Sequence, residues 1–325
     1  MKEHTIHVPL IGVEMEVPFA QVGRVVLKNM EKEQLDQLAQ QIESLVRESD
    51  EASQEVEELV SAQLPQMLES FNASVCAEIR ISGDPERAKK EAEATCRRVL
   101  DLLRYSIPVL YPNHLDLDIV IGIRGDILPS TPAHTALVIS SDGGKSSWHW
   151  QAEDTRTSFV ISADSLKVME RLGVLEVGQI LDKPEVQWND FESTLLDAIH
   201  WFANAQMEIE IAYRLLSLIT CLETFLTPQD GNPIGAAIAE GTAIIVGTDL
   251  EERKALKKRV HKLYQMRSAI THGGRKEVPE EQVAELTGIA QALIGQMIKR
   301  RAEFEDRDAL LEWILDQKLS PAGKP

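Results

Sequence analysis

From Asn189 onward nearly every stretch carries apolar residues at a period of about 3.6, and none shows strand-like alternation. A run of amphipathic helices must bury its apolar stripes against one another, which leaves an antiparallel helical bundle with short connections as the expected fold. A first helix is expected over Phe191 to Gln206 and a second over Met207 to Leu226, stopped at Pro228. After the loop PQDGNP a short apolar helix is expected from Pro233 to about Val246, since proline suits a first turn. Asp249 then caps a helix whose first turn holds Glu251 and Glu252 and which runs to Thr271 or His272. Two more helices are expected over Pro279 to Arg301 and Arg307 to Gln317.

The first half has a different character. Residues 4 to 28 look extended, with HTIHVPL, VEMEVPF and GRVVL set between proline and glycine. A helical hairpin is expected over Glu31 to Val46 and Glu51 to Phe71, then a strand over SVCAEIRIS. The Gly83-Asp84-Pro85 break precedes an expected helix over Arg87 to Tyr105. LDIVIGI, HTALVISS and SWHWQ read as further strands, the last two joined by a turn at Asp142-Gly143-Gly144. The expected fold class is therefore an α+β N-terminal module over 1–184, which senses or docks, and an all-α bundle over 185–320. The tail, 321–325, is expected to fray.

With 325 residues, 43% of them hydrophobic, the chain can bury a real core, and two domains are expected. No window reaches the roughly 18 uninterrupted apolar residues of a membrane span, and MKEHTIHVPL lacks the basic and apolar regions of a signal peptide. No membrane partner and a cytoplasmic location are expected. Cys76, Cys96 and Cys221 are odd in number and lack CxxC spacing, so they read as buried thiols. The formal net charge of -18 repels nucleic acid on average, but the stretch from Arg253 to Lys276 contains no acid and nine bases. Such a run usually makes a solvated helix face. Here it leads into QMRSAITHGG, where Arg267 and His272 stand near the expected end of a helix before two glycines.

Position 267 falls on the stripe of Leu256, Val260, Leu263 and Ile270, where an arginine must snorkel, line a groove or pair with an acid. Glu223, in the apolar run CLETFL, is the candidate partner. Taken alone, the pair reads more readily as a C-capping histidine with a structural Arg–Glu pair than as catalysis.

The order YRLLSLITCLETFL, then GTAIIVG, then a charged helix closing with LYQMRSAITHGG, resembles the HEPN superfamily, in particular its Apea-like domains. Their signature is an arginine and a histidine separated by four to six residues and commonly followed by glycine. The resemblance covers about residues 189–318. It implies a four-to-five-helix bundle that often dimerises, bringing two motifs into one cleft, and its active members are metal-independent endoribonucleases of toxin–antitoxin, antiphage and RNA-processing systems.

By that resemblance Arg267 and His272 are the catalytic pair. Ser268 matches the polar position after the arginine, although many active members carry Asn, Asp or His there. Glu223 resembles the acid on the helix facing the motif. The expected partners are RNA, a second copy of the chain, and possible antitoxin or regulatory proteins, with no cofactor or metal. Lys257, Lys258, Arg275 and Lys276 are the bases expected to guide an RNA backbone. The rival expectation is a non-catalytic HEPN-like protein that dimerises, binds a nucleotide or regulates a partner.

Other features point less far. Trp148, His149 and Trp150 in SSWHWQ suit either base stacking or, as alternating aromatics more often do, a packed face. His4, His7, His114 and Asp116 lack metal-ligand spacing. Asp116 and Asp118 read as solvated edge residues, and no P-loop or GxSxG motif is present.

Overall fold

The computed structural model describes residues 3–48, 54–71, 74–115, 117, 119–125, 134–142, 145–153, 157–228, 233–273 and 277–319. Strands β1 (Glu3–Ile11), β2 (Val13–Met15), β3 (Phe19–Val22), β4 (Val25–Asn29) and β5 (Val75–Ser82) come first, with α1 (Lys32–Glu48) and α2 (Gln54–Phe71) packed together between β4 and β5. α3 (Pro85–Leu110) is followed by β6 (Gly122–Ile123), and the main sheet has the order β3-β4-β5-β1-β6, antiparallel throughout.

β5 is central in the sheet and carries more buried residues than any of its other strands. Val75, Cys76, Ala77, Ile79 and Ile81 are buried, in line with a strand paired on both edges and covered by α3. The β3–β4 connection needs a glycine at Gly23, which has φ of 56°, and a Cβ there would stand 2.4 Å from the Gly178 carbonyl oxygen. α3 begins at Pro85 under an Asp84 cap whose carboxylate accepts from the Glu86 and Arg87 amides.

The expected strand over LDIVIGI is reduced to Gly122–Ile123. Ile119, Val120 and Ile121 are still buried, but the Arg104 guanidinium donates to the Ile121 carbonyl at 2.6 Å, so that acceptor is spent on a side chain. β7 (His134–Asp142) and β8 (Lys145–Glu153) form an antiparallel hairpin with Ile139 opposite Trp148. The proposed turn residues Gly143 and Gly144, like Asp116 and Asp118, lie outside the described residues. β9 (Phe159–Ile161) pairs in parallel with β2.

α4 (Ala163–Arg171) and α5 (Val174–Gly178) lead to the helical region: α6 (Asp190–Met207), α7 (Ile211–Leu226), α8 (Ile234–Val246), α9 (Leu250–Gly273), α10 (Glu280–Arg300) and α11 (Arg307–Leu319). α6 starts on a capping box, Asn189 accepting from the Glu192 amide while Glu192 accepts from that of Asn189. The chain is thus an α+β module followed by a helical bundle.

The two parts share one hydrophobic core through α3 and α6. Tyr105 and Phe202 meet edge to face at 5.4 Å, and Gln291 of α10 donates to the Tyr105 carbonyl at 3.1 Å. Asp101, with its side chain only 4% exposed, accepts from Arg104 at 2.9 Å and meets His200 Nδ1 at 2.8 Å. Arg98 reaches the Leu196 carbonyl and the Asp197 carboxylate of α6. Cys76, Cys96 and Cys221 are free and buried. Among the described residues no helix is long and apolar enough to cross a membrane.

Candidate functional site

α9 carries the motif. Asp249 accepts from the Glu252 amide at 2.9 Å, and Glu252 in turn accepts from both the amide and the hydroxyl of Thr248, which fixes the first turn. Leu256, Val260, Leu263 and Met266 are buried and set the rotation of the helix. That rotation leaves Arg267 on the border of the packed face, with its side chain 29% exposed, opposite Glu223 of α7 at 17%.

Arg267 Nη2 stands 3.5 Å from Glu223 Oε1, an ion-pair contact longer than a strong hydrogen bond. The same oxygen accepts the Tyr264 hydroxyl at 3.1 Å, and the Arg267 guanidinium lies 5.8 Å from the Tyr264 ring centre. Burial, followed by the Glu223 charge and hydrogen bond, pushes the Tyr264 phenol above its ordinary range, with Arg267 opposing. Tyr264 therefore stays protonated at neutral pH and remains a donor to Glu223. The arrangement is a three-membered clamp: one carboxylate oxygen holds a phenol and a guanidinium from the same face of α9.

Sequence reasoning named Arg267 and Glu223 but left Tyr264 beside the stripe without a role. The structure seats its ring against Gly235, near the start of α8, where a Cβ would approach it to 2.4 Å, a fit that nothing in the sequence marks. Only a residue without a side chain leaves room for that phenol.

His272 is exposed in the last turn of α9 and makes no hydrogen bond or ion pair among the described residues. The carbonyls of Arg267 and Ser268 are taken by the Thr271 hydroxyl, at 3.0 and 3.3 Å, which leaves the imidazole free of capping duty toward them. Ser268 is half-buried, and its hydroxyl makes no hydrogen bond among the described residues. Five residues of α-helix separate Arg267 from His272 by about 7.5 Å along the axis and about 140° around it, so the two leave α9 from well-separated faces and reach a common ligand only if the long arginine side chain curls toward the imidazole. The site thus offers an anchored cation and, one turn and a half further on, an unencumbered imidazole.

The basic residues are divided. Lys257 is held by Glu240 of α8 at 2.8 Å, and Lys318 of α11 shares the other oxygen of that carboxylate at 2.7 Å, so Glu240 ties three helices together. Lys258 has no ion pair among the described residues and borders a shallow groove with Arg259, His261 and Lys262 on the outer face of α9. Arg275 and Lys276 lie outside the described residues. Of the histidines weighed as ligands, His4 contacts the Gly83 carbonyl and His7 faces Glu78 at 3.9 Å.

No protein-family model matches this chain, nor does any curated protein or solved structure.

Proposed function

We propose that the chain is a HEPN-like endoribonuclease that cleaves RNA without a metal and acts as a homodimer. The observation that supports this most is the presence of Arg267, fixed by Glu223 and Tyr264, and of an exposed His272, without a hydrogen bond or ion pair among the described residues, at the end of the same helix. A guanidinium held in place suits a phosphodiester oxygen, and an imidazole with nothing else to do suits proton transfer.

In this reading the ribose 2′-hydroxyl of the RNA is the nucleophile. His272 removes its proton as the O2′–P bond forms and the P–O5′ bond breaks, and the departing 5′-oxygen takes a proton from the protonated histidine of the second copy's motif. The products are a 2′,3′-cyclic phosphate and a 5′-hydroxyl. Arg267 neutralises charge gathering on the non-bridging oxygens, Ser268 orients the imidazole or donates to the phosphate, and Lys258 steadies the backbone. A defence or toxin setting with a regulatory partner protein belongs to the same proposal.

The test is incubation of mixed RNA with the purified chain in EDTA. The wild-type protein is expected to release fragments ending in cyclic phosphate, and His272→Ala and Arg267→Ala to release none. A second reading, in which the clamp only braces α7 against α9 in an interaction protein, is favoured by Tyr264 occupying the oxygen that Arg267 uses. It wins if wild type and both variants are equally inert while remaining folded.

A further inference from the structure

A cavity of about 450 Å³ opens at the junction of sheet and bundle, remote in the chain from the Arg267–His272 pair. One wall is a stripe of α3, where Arg87, Lys90 and Arg98 recur at helical spacing. Arg24, from the β3–β4 connection, closes one end, and the segment Pro184, Val186 and Trp188 forms the opposite wall. The volume falls in the range of small-ligand sites.

The charge of this cavity contradicts that of the chain. The net charge is -18, yet four bases line the cavity against two acids, Glu91 and Glu185. Asp197, paired with Arg98, is a third acid beside the cavity, so the excess is small and rests on Arg87 and Lys90. The cations also differ in how far they are already committed. Arg24 is held by Glu91 at 2.8 Å and Thr95 at 3.0 Å, and Arg98 by Asp197 at 2.8 Å, so these two are positioned at the ends. Arg87 and Lys90 make no ion pair among the described residues, and both are exposed. Two positioned guanidiniums thus flank two unspent cations.

The facing wall is of another kind. The Trp188 indole N–H is consumed by the Ile180 and Lys183 carbonyls, at 3.0 and 3.2 Å, so the ring has only carbon left to offer the cavity. Val186 beside it is 89% exposed, an apolar side chain that a flat bound group would cover. Cations on one side and carbon on the other match a ligand with an anionic end and a planar end.

We propose that this cavity binds a small phosphorylated ligand of nucleotide size, its phosphates on Arg87, Lys90 and Arg98 and its planar group against Val186 and Trp188. An extended RNA fits less well, because both ends are closed by ion pairs and Glu91 and Glu185 stand at the walls.

Calorimetric titration of the full-length chain tests this with the four nucleoside diphosphates, pyrophosphate and a single-stranded 12-nucleotide RNA as probes. At least one nucleoside diphosphate is expected to bind below about 1 mM, at least tenfold more tightly than pyrophosphate. Arg87→Glu combined with Lys90→Glu is expected to weaken it at least tenfold, while Lys89→Glu, on another face of α3, leaves it unchanged. Val186→Asp is expected to weaken the nucleotide and not pyrophosphate. All these positions are exposed, so the variants should retain the wild-type melting temperature. The proposal fails if no diphosphate binds, if pyrophosphate binds equally well, if the charge reversal leaves binding intact, or if the reversal affects only the RNA.

Discussion

At the residue scale, the Glu223 clamp explains why an arginine is tolerated where the helical pattern asks for leucine. The cation keeps part of its surface in water and one carboxylate compensates the rest. Tyr264→Phe removes the hydroxyl and leaves Arg267 as the sole partner of that oxygen; a loss of about 1 kcal/mol is expected in denaturant unfolding. His272→Ala, by contrast, removes an exposed side chain without partners among the described residues and should change stability by less than about 0.5 kcal/mol. A large stability loss in that variant would mean the imidazole is structural. The Arg267–Glu223 contact was legible in the sequence because a charge inside an apolar stripe demands an opposite charge on a neighbouring stripe. Tyr264 was not, because a tyrosine at a stripe's edge violates no pattern.

At the element scale, what could be read depended on how local the interactions are. The helices of the second half emerged close to their observed limits because caps and 3.6-residue periodicity lie within each segment. The pairing of β9 with β2 joins residues far apart in the chain and leaves no local mark. The strand expected over 117–123 shrinks to Gly122–Ile123, and the Ile121 carbonyl before it accepts from Arg104 of α3, a long-range contact that periodicity cannot anticipate. Two consequences can be measured. Gly235→Ala forces the Tyr264 ring away from α8, and a loss of about 1–3 kcal/mol is expected from the resulting strain. If Gly235→Ala melts like wild type, the close approach of α8 and α9 is wrong.

In the sheet, Lys28 of β4 donates to Glu78 of β5 at 2.6 Å, and that hydrogen bond chiefly holds the Glu78 carboxyl below its ordinary value of 4.5. A depressed carboxyl stabilises the folded state above the ordinary value, and the contribution is lost as pH falls through the lowered one. Lys28→Met should therefore lower the melting temperature at pH 7 and flatten its decline below about pH 4.5, as followed by circular dichroism.

At the scale of the whole molecule, α3 packs on the sheet with one side and on the bundle with another. Its Tyr105 and Asp101 are bound into α6 and α10. Sheet and bundle are thus expected to unfold in one transition, with tryptophan fluorescence and far-ultraviolet dichroism coinciding. Asp101→Ala strips Arg104 and His200 of their common acceptor and should cost on the order of 3 kcal/mol. Two separated transitions in the wild-type protein would show that the shared core does not couple the halves. The sequence placed the change of character near residue 185, whereas the last described strand ends at Ile161 and helices run from Ala163. It did not disclose the shared core, which depends on which face of α3 meets α6.

The central claim is that the fixed guanidinium and the free imidazole of α9 act together on a phosphodiester. The most direct measurement is the yield of 2′,3′-cyclic phosphate ends from RNA in EDTA, compared among wild type, His272→Ala and Arg267→Ala at matched folded concentration. Product from wild type alone is predicted; equal product from all three proteins, or none from any, would contradict the claim.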